Sequence, residues 1–282
     1  MSWRCSVVLA LAACTVQRRE PTASPTAEIR VGPGTYEVGH TMVLEQRETF
    51  EMATTSMGAQ RGGPKLASAS VRRWREEVLA VSDGRPSRLR MSWEQDDRLI
   101  DRDGVQEREL GPAHGVYIVE RAAGTTSVRR EDEATITTEE HDAIAGVLDH
   151  PGYVNQLERR LANQRLSPGW AMDVDTSEHD DRNPPDALTR LVVHLVFGGT
   201  RVASGHTQAL FVASSQQAGP YGLGEIAATS TGTAVIDVEH GWLSSIEYGG
   251  PMHMEGTAGE RGVTQSYAAD GRWSFALTID HG

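Results

Sequence analysis

Past residue 14 the chain contains no cysteine; its two, Cys5 and Cys14, both lie in the opening segment. A body without thiols carries no disulfide framework, no thiolate nucleophile and no C-x-x-C zinc or redox motif. Lysine is nearly missing too: Lys65 stands alone against many arginines, a mark of a GC-rich genome more than of a function. No apolar run approaches the ~20 residues of a spanning helix, which excludes a polytopic helical membrane protein. Positive charge is in deficit, 27 Lys+Arg against 39 Asp+Glu for a net −12, which argues against a general nucleic-acid binder. No G-x-S-x-G elbow, P-loop or H-E-x-x-H helix is present. What remains is a chain of 282 residues with 38% hydrophobic residues and 29 glycines, enough for one large folded body and too apolar to be disordered throughout.

The first residues, MSWRCSVVLALAACTVQRRE, set one positive charge, Arg4, before an apolar stretch from Cys5 to Ala13. A short charged region, an apolar region and small residues at its end describe a secretory signal. Leu11-Ala12-Ala13-Cys14 resembles the lipobox of bacterial lipoproteins. In that family the cysteine thiol carries a diacylglycerol, and cleavage just before it leaves the cysteine first. The resemblance implies a signal peptide at 1–13 and lipidation at Cys14. Cys5 would then leave with the signal, and an exported body would carry no thiol to be oxidised. Residues 14–30 continue as a Thr-, Ser- and Pro-containing tether with no apolar period. About sixteen coil residues reach on the order of 20–25 Å. Thr15, where an Asp favours inner-membrane retention in Gram-negative lipoproteins, points to the outer membrane, facing the periplasm.

The body, 31–282, is expected to be one β-rich unit. From Tyr36 to Met52 apolar residues alternate with polar ones, the period of a half-buried strand. Residues 66–82 fit either a strand or a helix, with Ser, Val and Arg content favouring the strand. Asp83-Gly84 and Asp103-Gly104 read as hairpin turns, because glycine accepts the positive φ such turns require. Further strands are expected at 115–121 and 133–137. A capping box, Thr137 with Glu140, opens a helix that Pro151-Gly152 should close, and a second helix is expected over 153–165. Strands resume around Trp170–Val174, then at 188–197, 206–214, 224–229, 233–248 and 272–280. Gly-rich loops are expected at 57–65 and 215–224, and an acidic loop at 175–187.

An internal echo links Val78–Arg90 with Val235–Glu247. Val78/Val235, Val81/Val238, Gly84/Gly241 and Ser87/Ser244 are identical, each copy reading as strand, glycine turn and strand. The expected fold is therefore α+β and mostly antiparallel β. Two similar β-rich halves (31–137 and 167–282) are bridged by a short helical segment (138–166). Whether they form separate sheets or one curved sheet is left open by the residues.

Catalytic, cofactor and metal sites are not expected. Asp173, Asp175 and Ser177 imitate the opening of a calcium loop, but Glu178 stands where its glycine belongs and Pro184 where its bidentate Glu belongs. The ten histidines make no i, i+4 pair, and His194, inside an apolar strand, reads as a core histidine. Glu139 and Glu140 suit a helix start, and Glu131 and Glu133 an exposed edge. Trp74, Trp93, Trp170, Trp242 and Trp273 fall on or beside expected strands. They either fill the core or line an apolar concave face for a lipid-like ligand.

The chain is thus similar to uncharacterised bacterial lipoproteins and, in distant outline, to periplasmic lipoprotein and lipid carriers. That implies a non-enzymatic, lipid-anchored envelope protein binding an apolar ligand or a partner protein. A structural or assembly lipoprotein without a small ligand is the alternative, and a hydrolase with a site assembled across both halves the third reading.

Overall fold

The computed structural model describes residues 28–57, 60–61, 63–122, 125–175, 190–221, 224–260 and 263–282. The signal, Cys14 and most of the acidic loop at 175–187 lie outside these. The fold is mainly antiparallel β. Its first half comprises β1 (Ile29–Arg30), β2 (Thr41–Met57), β3 (Gln60–Arg61), β4 (Lys65–Ser82), β5 (Arg85–Arg102), β6 (Val105–Leu110), β7 (Gly115–Ala122) and β8 (Thr125–Arg130). Helix α1 (Thr138–Leu161) and β9 (Arg165–Leu166) follow. The second half comprises β10 (Ala171–Asp175), β11 (Arg190–Ala203), β12 (His206–Tyr221), β13 (Gly224–Asp237), β14 (Leu243–Glu260) and β15 (Val263–His281).

The two halves form one sheet. Its order is β10-β11-β12-β13-β14-β15-β2-β4-β5-β7-β8, with β3 on β2 and β6 on β5. Each half is a meander in chain order, and β15 pairs antiparallel with β2 to join them. The strands are long: at ~3.3 Å per residue, the 19 residues of β15 extend ~60 Å.

The sheet curls. In a flat sheet the starts of β14 and β5, four strands apart, would be separated by at least ~19 Å. Yet one carboxylate, that of Glu158 in α1, accepts from the Leu243 N–H at 2.9 Å and from Arg85 Nη1 at 3.0 Å. Inward glycines permit the bend. Gly232 faces Tyr248, Gly250 faces Trp273 and Gly271 faces Met52, so a large side chain covers each gap. A Cβ on Gly232 would stand 1.8 Å from the Glu247 carbonyl oxygen, and one on Gly250 2.0 Å from that of Thr229. The outward residues of β2 and β4 include Glu45, Arg47, Glu51, Arg73 and Arg75, charges that an apolar outer band of a membrane barrel would not carry. No described helix is long and apolar enough to cross a membrane.

Several local expectations are corrected. Residues 36–40 are not strand: 31–40 cross the end of the sheet as a strap, and β2 begins at Thr41. The segment 66–82 is strand, paired on both sides. Residues 133–137 are an unpaired lead-in to the helix, because Thr137 is committed to the cap, and the strand lies earlier, at Thr125–Arg130. Pro151 does not end the helix, and the helix expected over 153–165 is its continuation: α1 runs on to Leu161, held by Ile144, Leu157 and Leu161 in the core. Most of 215–224 is β12 rather than loop, and 249–260 and 263–271 are strand despite Gly249-Gly250-Pro251. In both places neighbours on either side supply the ladder that local propensity does not.

Candidate functional site

The strap ties the near end of the sheet together. Its backbone bonds run from Val31 N to Gln164 O (2.9 Å), Gly32 N to Val238 O (2.7 Å), Gly34 N to His240 O (2.7 Å) and Tyr36 N to Gly84 O (2.9 Å). The echoed hairpins are therefore β4–β5 and β13–β14, and both turns dock on the same strap. Gly84 and Gly241 have φ of +73° and +78°; a Cβ on either would strike Thr35 or the Gly32 carbonyl. Glu158 lies beneath, fully buried, and also accepts from the Tyr36 hydroxyl at 3.0 Å. Burial raises its pKa, opposed by the Leu243 N–H and Arg85.

The principal core lies above this end and takes residues from both halves and α1, among them Leu44, Trp74, Met91, Tyr117, Ile144, Leu195, Phe211 and Ile246. Farther along the inner face comes a polar layer. Gln46, Arg72 and Asp96 sit opposite one another on β2, β4 and β5, with Arg72 3.5 Å from Asp96. Burial raises the Asp96 pKa against the pull of Arg72. On the other wall Ser215 bonds Ser230, both buried.

Beyond that layer is a second apolar cluster: Ile226, Ala228, Met252 and Met254, with Phe50, Met52, Tyr267 and Trp273 against it, Trp273 also packing on the principal core. Three of its members are methionines, which repack at little cost. The indole N–H of Trp273 is buried and has no hydrogen-bond partner among the described residues. On the same face of β4 and β5, Ser68, Ser70, Arg72 and Arg98 line the adjoining wall around the buried Ile100.

The five tryptophans do not converge. Trp74 and Trp93 stack at 5.3 Å in the principal core, and Trp74 donates to Glu76 at 2.8 Å. Trp170 meets the edge of Phe211, and Trp273 alone reaches the second cluster. Trp242 lies by the strap, donating to the Thr35 carbonyl at 3.0 Å and stacked on Tyr36, His240 and His281. A depression of about 660 Å³ opens across β15, β2, β4 and β5, lined by Glu51, Lys65, Asp101, Asp103, Asp270 and Arg272 among others. None of the five tryptophans lines it.

His194, Glu140 and Glu131 have structural partners. His194 is not a core residue: it points outward and meets Asp173 at 2.6 Å, because the alternation of β11 puts Val193 and Leu195 inside instead. Glu140 closes the capping box and also accepts from Tyr117 and Arg130 at 2.8 Å. Glu131 accepts from Arg90 Nε and Nη2, each at 2.8 Å. Sequence reasoning missed the gathering of His40, His206, His240 and His281 around Trp242 and Asp237. Those residues come from the strap, two hairpins and the last strand, and no spacing along the chain betrays them. His40 Nε2 lies 3.1 Å from His281 Nδ1, and burial lowers the pKa of both rings.

No known family matches the chain, and no curated protein is similar to it. Among solved structures, a study of lipid–protein interactions in lipovitellin is similar over 87% of this chain at 8% identity, with a TM-score of 0.47. This chain spans 26% of that protein's length. An outer membrane channel from Pseudomonas putida F1 overlays 87% of this chain and 97% of its own at 10% identity, with a TM-score of 0.20. Both superpositions are too loose to carry a function across, and the chain is assigned to no family by them.

Proposed function

We propose that this is a non-enzymatic, lipid-anchored envelope protein whose curled sheet holds an apolar ligand at the end away from the strap. The observation that carries the reading is the second cluster. It lies beyond the polar layer, shares only Trp273 with the principal core and includes no residue of α1. Its methionines adapt to a flexible chain, and the Trp273 N–H and the arginines of β4 and β5 suit a polar or anionic head. An amphiphile with one acyl-like chain matches that distribution. The anchor rests on the lipobox at Leu11–Cys14, and the outer-membrane placement on Thr15.

A second reading, an assembly lipoprotein with no small ligand, is favoured by the stacked and buried Trp74 and Trp93, which belong to a filled core. Native mass spectrometry separates the two. A chain beginning at Glu28, which carries every described residue, is purified from an envelope-bearing host and measured before and after denaturation. A lipid-sized adduct lost on denaturation supports the carrier; a bare mass supports the assembly protein.

A further inference from the structure

At the strap end, His206 opens β12 while Glu239 and His240 lie in the turn between β13 and β14. Each offers one donor atom, and these atoms lie within 4.8 Å of one another. Beneath them is Asp237, only 9% exposed. Its two carboxylate oxygens are divided between the histidines: Oδ1 is 3.0 Å from His240 Nδ1, and Oδ2 is 3.3 Å from His206 Nδ1. The hydrogen bond from His240 Nδ1 to Oδ1 fixes that ring's tautomer and leaves its Nε2 lone pair for a metal ion, while Oδ2 stands beside His206 Nδ1. Trp242 stacks on the His240 ring at 4.3 Å and 13°, which fixes its plane. The Asp237 Oδ1 also accepts from the His240 backbone N–H at 2.8 Å, so the turn itself is set by the same group.

We propose that His206, Glu239 and His240 form a binding site for a divalent first-row transition ion, with Asp237 as the positioning residue. Two imidazoles and one carboxylate select zinc-like ions over calcium or magnesium, which prefer all-oxygen shells. Three protein ligands on an exposed rim leave the remaining coordination positions to water. This assignment is independent of the apolar cluster, which lies beyond the polar layer toward the other end of the inner face.

The test is zinc titration of the full-length protein in detergent by calorimetry, at pH 7.5, with the purified chain first stripped by chelator. The expected result is one zinc per chain. His206→Ala, a surface change, should weaken binding at least ~10-fold, and Asp237→Asn about 10-fold or more through lost orientation. His194→Ala, on the outer face of β11, should leave the affinity unchanged. Copper(II) supplies a second readout: it should quench Trp242 fluorescence, and Trp242→Phe should remove that quenching while zinc still binds. No zinc uptake at millimolar metal, or uptake indifferent to His206→Ala, overturns the proposal.

Discussion

Glu158, in the last turn of α1, accepts a hydrogen bond from Arg85, at the start of β5, across 3.0 Å. The carboxylate is wholly buried, while the arginine keeps part of its side chain in water. The pair therefore locks the helix to one hairpin, and the Leu243 N–H locks the same carboxylate to the other. Removing one partner of such an arrangement strands the rest. Glu158→Leu is expected to cost roughly 3–5 kcal/mol, because three donors lose their acceptor at once. Urea unfolding followed by tryptophan fluorescence measures this; a loss below 1 kcal/mol would show that the hub is not a hub.

The same group sets a pH dependence. The folded pKa of Glu158 is raised above the ordinary 4.5 by burial. In the interval between the two values the folded chain binds the proton and the unfolded chain does not. Its contribution to stability is therefore full below about pH 4.5 and declines as pH rises through the raised folded value. The stability difference between the parent and Glu158→Gln should shrink in that direction across pH 4 to 8. A difference that grows with pH would mean that Arg85 and the Leu243 N–H outweigh desolvation.

Gly241 and Gly104 share a positive φ, +78° and +86°, but differ in surroundings. A Cβ at 104 meets nothing within 4 Å, whereas one at 241 comes within 2.6 Å of the Gly32 carbonyl oxygen. Gly104→Ala should cost about 1 kcal/mol, the conformational penalty alone. Gly241→Ala should cost at least twice that, since strap and turn cannot both keep their places. Equal urea midpoints for the two variants would remove the strap's structural role.

Met254→Glu places a charge in the second apolar cluster. Uptake of a fluorescent fatty-acid probe by the parent, and its loss by ten-fold or more in the variant, is the expected outcome. Circular dichroism should stay unchanged, because Met254 lies outside the principal core. Trp273→Phe should keep the apolar contact but weaken an anionic probe by a few-fold through its missing N–H.

Cys14→Ala tests the anchor. The parent should sediment with membranes and incorporate labelled fatty acid, and the variant should do neither. Membrane association that survives the change would mean that the lipobox resemblance misplaces the protein.

The echo at 78–90 and 235–247 was legible because glycine turns leave a mark in sequence, and it proves to be two hairpins docked on one strap. The capping box at Thr137 and Glu140 was equally local, and equally visible. The second apolar cluster was not. Met52, Met252 and Met254 lie two hundred residues apart and meet only through the β15–β2 pairing. Long strands hid for a similar reason: Gly249-Gly250-Pro251 reads as a break until neighbours on both sides supply hydrogen bonds. His194 misled because an apolar run around it, Leu191 to Phe197, masks the alternation that turns it outward.

The pairing of β15 with β2 also dictates a timetable. The other neighbouring pairs of the main sheet join strands close along the chain, but one side of β2 waits for β15, the strand that ends at His281. A chain threaded amino-terminus first through a membrane would hold that edge open, hydrogen bonds unmade, until β15 had crossed. Such an edge is sticky. The slowest step in maturation would then be a clasp between the first long strand to arrive and the last, and an escort that shields β2 during transit would matter more to yield than to the finished protein.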